Sequence, residues 1–161
     1  KCIYDLENDF NISNFQKAIL INSAFNNISV IKSTYFLKSI KLRYINISHN
    51  QINFIEANSF LENINLSLLD LSFNNIQMID QNIFGNKIEF YNLFINFFFN
   101  NNLLNKFEVN IRKIDMFDLS CNNLTRLPNF IRSNQNSISK IFLNRNFFTI
   151  VISNDLKEVS N

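Results

Sequence analysis

One order of apolar residues recurs along this chain and limits how it can fold. The stretch from Leu66 to Phe84 reads LSLLDLSFNNIQMIDQNIF. Its spacing is L-x-x-L-x-L-x-x-N-x-I-x-x-I-x-x-x-x-F, which is neither a helical period nor a plain strand alternation. The same order begins at Ala18 and Leu42 upstream, and at Ile114 and Ile138 downstream. Copies of one unit in register predict a stack of structural repeats.

Each copy predicts a short strand, a turn and a return segment. The two apolar residues of each L-x-L pair lie on the inner face of the strand, because side chains alternate along a strand. One unit cannot bury its apolar side alone, so neighbouring units must stack. We therefore expect about six rows in an α/β-type solenoid. A parallel β-sheet would form its concave face, and irregular or short helical return segments would form its convex face.

An asparagine follows each strand at a fixed distance. Its side-chain amide both donates and accepts hydrogen bonds, so it can satisfy backbone groups that the turn buries. The predicted asparagine ladder is Asn26, Asn50, Asn74, Asn96, Asn122 and Asn146. On the return side, Phe36, Phe60 and Phe84 recur at the same spacing and predict a phenylalanine spine in the core.

The fourth row has two interpretations. Starting it at Ile88 places Asn96 in the ladder but makes the adjoining repeats 22 and 26 residues long. Starting it at Phe90 keeps both repeats at 24 residues but puts Phe98 where the asparagine belongs. We prefer the first interpretation because it keeps the asparagine.

The predicted domain organisation is simple. A length of 161 residues fits one domain, with residues 1–17 as an N-terminal capping segment and residues 18–161 as the repeat array. The last repeat begins at Ile138 and is complete at Asn161, so no C-terminal cap is expected. This uncapped edge and Cys2 are the candidate sites for homo- or heterodimer formation. Cys2 and Cys121 lie too many rows apart to form a disulfide with each other.

Charge and residue types exclude several functions. The net charge is +2 and no long run has one sign, which argues against nucleic acid as a partner. No apolar run reaches the ~18–20 residues needed to span a bilayer. His49 is the only histidine, so no metal site built on histidines is expected. His49 and Cys121 would lie three rows, roughly 14 Å, apart, too far for a catalytic pair. We expect no enzyme activity, no metal and no cofactor.

The outward side of the strands is the candidate binding site. Its columns carry apolar residues where the sheet should meet water, and such a patch usually marks an interaction site. Alternatively, these side chains stack only on their row neighbours. The candidate ligand-binding residues are Leu20, Phe25, Tyr44, His49, Leu68, Asp70, Phe73, Met116 and Asp118.

Five sequences match the acceptor motif for N-glycosylation. They begin at Asn11, Asn27, Asn46, Asn65 and Asn123. Asparagine is so frequent in this chain that the excess over chance is small. A glycan on Asn46 would stand on the concave face.

The repeat length, the return-side phenylalanine and the wording LDLSFNNI and FDLSCNNLTRLP resemble the extracellular class of leucine-rich repeats. That class includes Toll-type receptor ectodomains and secreted insect immune proteins, and the resemblance covers residues 18–161. It implies a secreted or ectodomain recognition module that binds a protein or microbial ligand, or a co-receptor, in innate immune recognition or receptor signalling. An intracellular leucine-rich-repeat scaffold in the cytoplasm and a structural spacer within a larger receptor are the alternatives.

Overall fold

Short parallel strands and irregular return segments build the protein. The structure is a computed structural model that describes residues 17–85, 95–109, 113–128 and 137–149. The strands of these ranges are β1 (Leu20–Asn22), β2 (Val30–Ile31), β3 (Tyr44–Asn46), β4 (Phe54–Ile55), β5 (Leu68–Asp70), β6 (Asn96–Phe98), β7 (Lys113–Asp118) and β8 (Ser137–Phe142).

Six of the strands form one parallel sheet, in the order β1-β3-β5-β6-β7-β8. Each strand marks one row, so β1 belongs to row one and β8 to row six. The central residues Ile21, Ile45 and Leu69 are register partners and are all buried. The remaining strands, β2 and β4, pair in parallel on the return flank of rows one and two. The predicted solenoid with a parallel concave sheet is confirmed, and its described return segments are irregular.

The core runs without interruption from row to row. The phenylalanine spine stacks, with ring centroids 5.5 Å apart for Phe36 and Phe60 and 5.7 Å apart for Phe60 and Phe84. Phe84 then contacts Phe97 of row four at 5.3 Å, so the spine continues into the core of the later rows. Since each row buries its apolar face only against its neighbours, stacking supplies most of the stability.

The ladder asparagines bind backbone groups of their own row and of the row before. Asn50 donates from Nδ2 to the carbonyl oxygens of Ser23, Ile47 and Ser48 at 2.9, 3.1 and 3.0 Å. Its Oδ1 accepts the N–H of Ile28 at 3.0 Å. Each such side chain therefore closes its own turn and also ties two rows together.

Both interpretations of row four are wrong. Phe97 pairs with Leu69, so the inward residues of this row are Phe97 and Phe99. The ladder asparagine is Asn102, which accepts the N–H of Ile76 and donates to the Leu71 and Phe99 carbonyls. Asn96, the predicted ladder residue, lies instead within β6.

Unequal repeat lengths explain the error. The interval from Asn74 to Asn102 is 28 residues and the interval from Asn102 to Asn122 is 20, so the extra length of one repeat is lost in the next. The run FINFFF fits strand alternation in several registers, and the asparagine selects among them. The residue before the ladder position, Ile95 in the preferred interpretation, was expected on the outward side but is fully buried.

A left-handed backbone conformation precedes every ladder asparagine of the described rows. The residue at this position has φ between 52° and 58° in all six rows. These residues are Phe25, His49, Phe73, Asn101, Cys121 and Arg145. Left-handed φ is unfavourable for residues with a Cβ, yet it makes the turn tight enough for the asparagine to reach back to the strand carbonyls. No feature of the sequence alone had indicated this column.

Candidate functional site on the concave face

The first outward column of the sheet is apolar in rows one to three. Leu20, Tyr44 and Leu68 are register partners on neighbouring strands. Leu20 is 61% exposed and Tyr44 is 42% exposed, whereas Leu68 is half-buried. In rows four to six this column continues with Asn96, Met116 and Lys140. The apolar part of the column is therefore confined to one end of the sheet.

The aromatic side chains at the strand ends form a stack. The His49 ring lies between the rings of Phe25 and Phe73, with centroids 4.2 Å from each and interplanar angles of 9°. Phe25 is 72% exposed and Phe73 is 45% exposed. Each aromatic contact contributes about 0.5–1.5 kcal/mol beyond the area it buries, so the stack holds three rings in fixed positions on the surface.

A polar column lies between these two apolar ones, and its side chains fold back on their own strand ends. Asp70 Oδ1 accepts from the Ser72 N–H at 3.0 Å and from its hydroxyl at 2.6 Å. Asp118 Oδ1 accepts from the Ser120 N–H at 2.9 Å. One oxygen of each predicted ligand-binding carboxylate therefore helps to end its strand.

Row four interrupts the polar column with an aromatic residue. Phe98 is the register partner of Asp70 on one side and of Asp118 on the other. It is half-buried on the outward side of the sheet. The sequence interpretation missed this residue because the row was placed in the wrong register.

The predicted ligand-binding residues divide into two groups. One group occupies rows one to three and forms a continuous surface, which we call the aromatic patch; it consists of Leu20, Phe25, Tyr44, His49, Leu68 and Phe73. Asp70 lies beside the patch in row three. Met116 and Asp118 lie in row five, two strands away from β5.

The described residues offer little for catalysis or metal binding. In these ranges, no three His, Cys, Asp or Glu side chains come close enough to hold a metal ion. Cys121 has a free, half-buried thiol in row five, whereas His49 is stacked in row two. Cys2 and the capping segment 1–16 lie outside the described residues. No helix within the described ranges is long and apolar enough to cross a membrane.

The candidate glycosylation sites differ in their surroundings. Asn27 and Asn123 are exposed. Asn46 is half-buried, and its Oδ1 accepts from both the N–H and the hydroxyl of Ser48. Asn65 donates from Nδ2 to the Ile40 carbonyl at 2.8 Å. Asn11 lies outside the described residues.

Comparisons with known proteins agree with the repeat geometry. Residues 24–76 match the family model described as leucine rich repeat. No curated protein matches the sequence. A solved structure titled "Crystal structure of TLR13-ssRNA13 complex" aligns with a TM-score of 0.46 and 15% identity, over 87% of this chain and 28% of that one. The family match in rows one to three, and the strand register and asparagine bonds that continue to row six, identify the chain as a leucine-rich repeat protein.

Proposed function

We propose that this protein is a non-catalytic recognition module that binds a protein partner on the concave face of rows one to three. The observation that carries the proposal is the aromatic patch, where large apolar side chains meet solvent on a face built of regular strands. Buried aromatic residues are the side chains that most often dominate binding energy at protein interfaces. The patch offers several of them side by side.

Rigidity supports the same function. The patch residues of columns one and three stand on strands or at their ends, and the three rings are fixed by stacking. A surface that is ordered before binding loses little conformational entropy when the partner arrives. The asparagine bonds between rows hold neighbouring strands in register, so they set the spacing of the patch.

We further propose that the module acts outside the cell, as a secreted protein or part of a receptor ectodomain, in innate immune recognition. The exposed acceptor motifs at Asn27 and Asn123 support this placement. Peptide mass spectrometry of the natural protein, with and without glycosidase, tests it. A glycan at either site supports secretion, whereas unmodified peptides at all five motifs would favour the cytoplasmic scaffold.

Site-specific photo-crosslinking tests the binding face. A photoreactive phenylalanine analogue replaces Tyr44 on the patch or, as the control, Phe54 on the return flank, which is 56% exposed. The natural secretion or extract that contains the protein is irradiated with each variant. We expect a protein adduct from position 44 that position 54 does not give, and Tyr44→Ala should weaken binding of that purified partner. Adducts from position 54 alone would contradict the proposal.

A further inference from the structure

Charge is distributed unevenly along the described rows. Residues 17–55, which include all of rows one and two up to β4, contain no Asp or Glu. The cationic residues of the same stretch are Lys17, Lys32, Lys38, Lys41 and Arg43. The nearest acids along the chain are Asp9 and Glu56. The part of the solenoid that carries the aromatic patch is therefore cationic, although the whole chain is close to neutral.

The next acids along the chain are already engaged. One carboxylate oxygen of Glu56 accepts the N–H and the hydroxyl of Ser33, at 2.8 and 3.0 Å. One oxygen of Glu62 accepts the N–H of Lys38 at 2.6 Å. Neither contact involves Lys41 or Arg43.

Two of the cations lie at the edge of the aromatic patch. Lys41 and Arg43 are exposed and immediately precede β3, whose first residue is Tyr44. The backbone around Arg43 is fixed, because its N–H donates to the Ile19 carbonyl and its own carbonyl accepts from Ser67 and Leu68. Within the described ranges, the guanidinium of Arg43 forms no ion pair. It is available to a carboxylate that arrives with a partner, and Arg binds carboxylates in a bidentate geometry.

The packing of the rings favours protein over nucleic acid as the partner. Nucleobases bind to aromatic side chains by stacking on ring faces. Both faces of His49 are covered, and one face of Phe25 and one of Phe73 are used in the same stack. The patch therefore presents mainly ring edges and aliphatic groups, which suit apolar side chains.

From these observations we infer that the partner binds rows one to three through an acidic and apolar protein segment. Its apolar side chains would contact Leu20, Tyr44 and the ring stack, and an Asp or Glu beside them would pair with Arg43. This inference rests on the proposed function and adds the chemistry of the partner to it.

Selection from a phage-displayed library of random linear peptides tests the inference, with the full chain as bait. The variants are Arg43→Glu, Tyr44→Ala and, as a matched charge control, Lys140→Glu. Lys140 is exposed in the same outward column as Tyr44, but in row six. Circular dichroism of each variant confirms that it is folded. The affinities of enriched peptides, and of a mixed-sequence single-stranded RNA, are then measured for each protein.

We expect the wild type to enrich peptides in which Asp or Glu adjoins apolar residues. Arg43→Glu should weaken these peptides by about tenfold or more, because it replaces attraction by repulsion, and Lys140→Glu should change them by less than about twofold. Enriched peptides that require Tyr44 but have no acidic bias would overturn this inference and leave the proposed function intact. Peptides that bind equally well to Tyr44→Ala would contradict the proposed function as well. RNA that binds more tightly than the best peptide and competes with it would overturn the choice of a protein partner.

Discussion

Replacing Asn50 with alanine should reveal how much the asparagine ladder stabilises the solenoid. The substitution removes four hydrogen bonds of a side chain that is 8% exposed. The three carbonyls keep other donors: Ser23 retains Asn26, Ile47 retains Asn74, and Ser48 retains the N–H of Phe25. Only the N–H of Ile28 loses its partner, and it becomes a buried, unsatisfied donor.

The magnitude follows from this inventory. A buried donor left without an acceptor costs about 1–3 kcal/mol, and each lost bond whose carbonyl keeps another donor costs about 0.5–1 kcal/mol. Asn50→Ala should therefore lower the free energy of unfolding by about 3–5 kcal/mol, a large part of the 5–15 kcal/mol typical of a domain. Urea unfolding followed by circular dichroism measures it.

Asn26→Ala is the matched control. Asn26 holds the same position in row one and donates to the carbonyls of Ser23 and Ala24. Its Oδ1 has no hydrogen-bond partner among the described residues, so no donor there is left unsatisfied by the change. We expect a loss of only about 1–2 kcal/mol. Equal losses for the two variants, within about 0.5 kcal/mol, would refute the view that the bond between rows makes the difference.

Three further substitutions test other features. Asn102→Ala should lower the free energy of unfolding by about 3 kcal/mol and Asn96→Ala by less than about 1 kcal/mol, because only the former satisfies backbone groups; the reverse order would restore the rejected register. Cys121→Gly should raise it by about 1 kcal/mol by relieving the left-handed φ of 55°, and Cys121→Ala, which keeps the unfavourable φ, should not. Backbone and side-chain hydrogen bonds from Ser33 lower the pKa of Glu56 from its usual 4.5, so the carboxylate stabilises the fold above that pH and this contribution is lost as pH falls through the lowered value. Unfolding measured from neutral to acid pH should show Glu56→Gln less stable than the wild type at pH 7 and equal to it in acid; a constant difference would argue against the ionised carboxylate as the cause.

The repeat architecture could be predicted from the sequence because each row obeys the same packing rule. Ile45 and Leu69 are buried, as their place in the L-x-L pair requires. Row four could not be placed while repeats were assumed equal in length. Its residues Phe97, Phe99 and Asn102 do carry the motif spacing, and the asparagine was the signal that could have identified it. The run of three asparagines at 100–102 was interpreted only as a loop.

The details of the concave face were harder to predict, for a physical reason. Spacing tells which residues point outward, and it correctly placed Tyr44 and Leu68 in one column. It does not tell what an outward side chain does there. Asp70 folds back onto Ser72, and His49 enters a ring stack. Both arrangements depend on the left-handed turn, and φ is not encoded by an apolar pattern.

The left-handed column also connects stability to binding. Glycine takes up left-handed φ without a steric penalty, yet rows one to three place bulky aromatic residues there. In Phe73, with φ 54°, the backbone penalty of about 1–2 kcal/mol is similar in size to the ring contact of about 0.5–1.5 kcal/mol. Phe73→Gly should therefore leave the free energy of unfolding nearly unchanged.

Binding should respond differently to the same change. If the ring stack forms part of the partner's contact surface, Phe73→Gly should weaken binding by about 2 kcal/mol or more, as loss of a central aromatic residue does at interfaces. Cys121→Gly has the same backbone change outside the patch, and it should leave affinity intact. Partner titration by calorimetry, beside unfolding of both variants, separates the two effects. A Phe73→Gly protein that is clearly less stable but binds normally would show that the stack serves the fold alone.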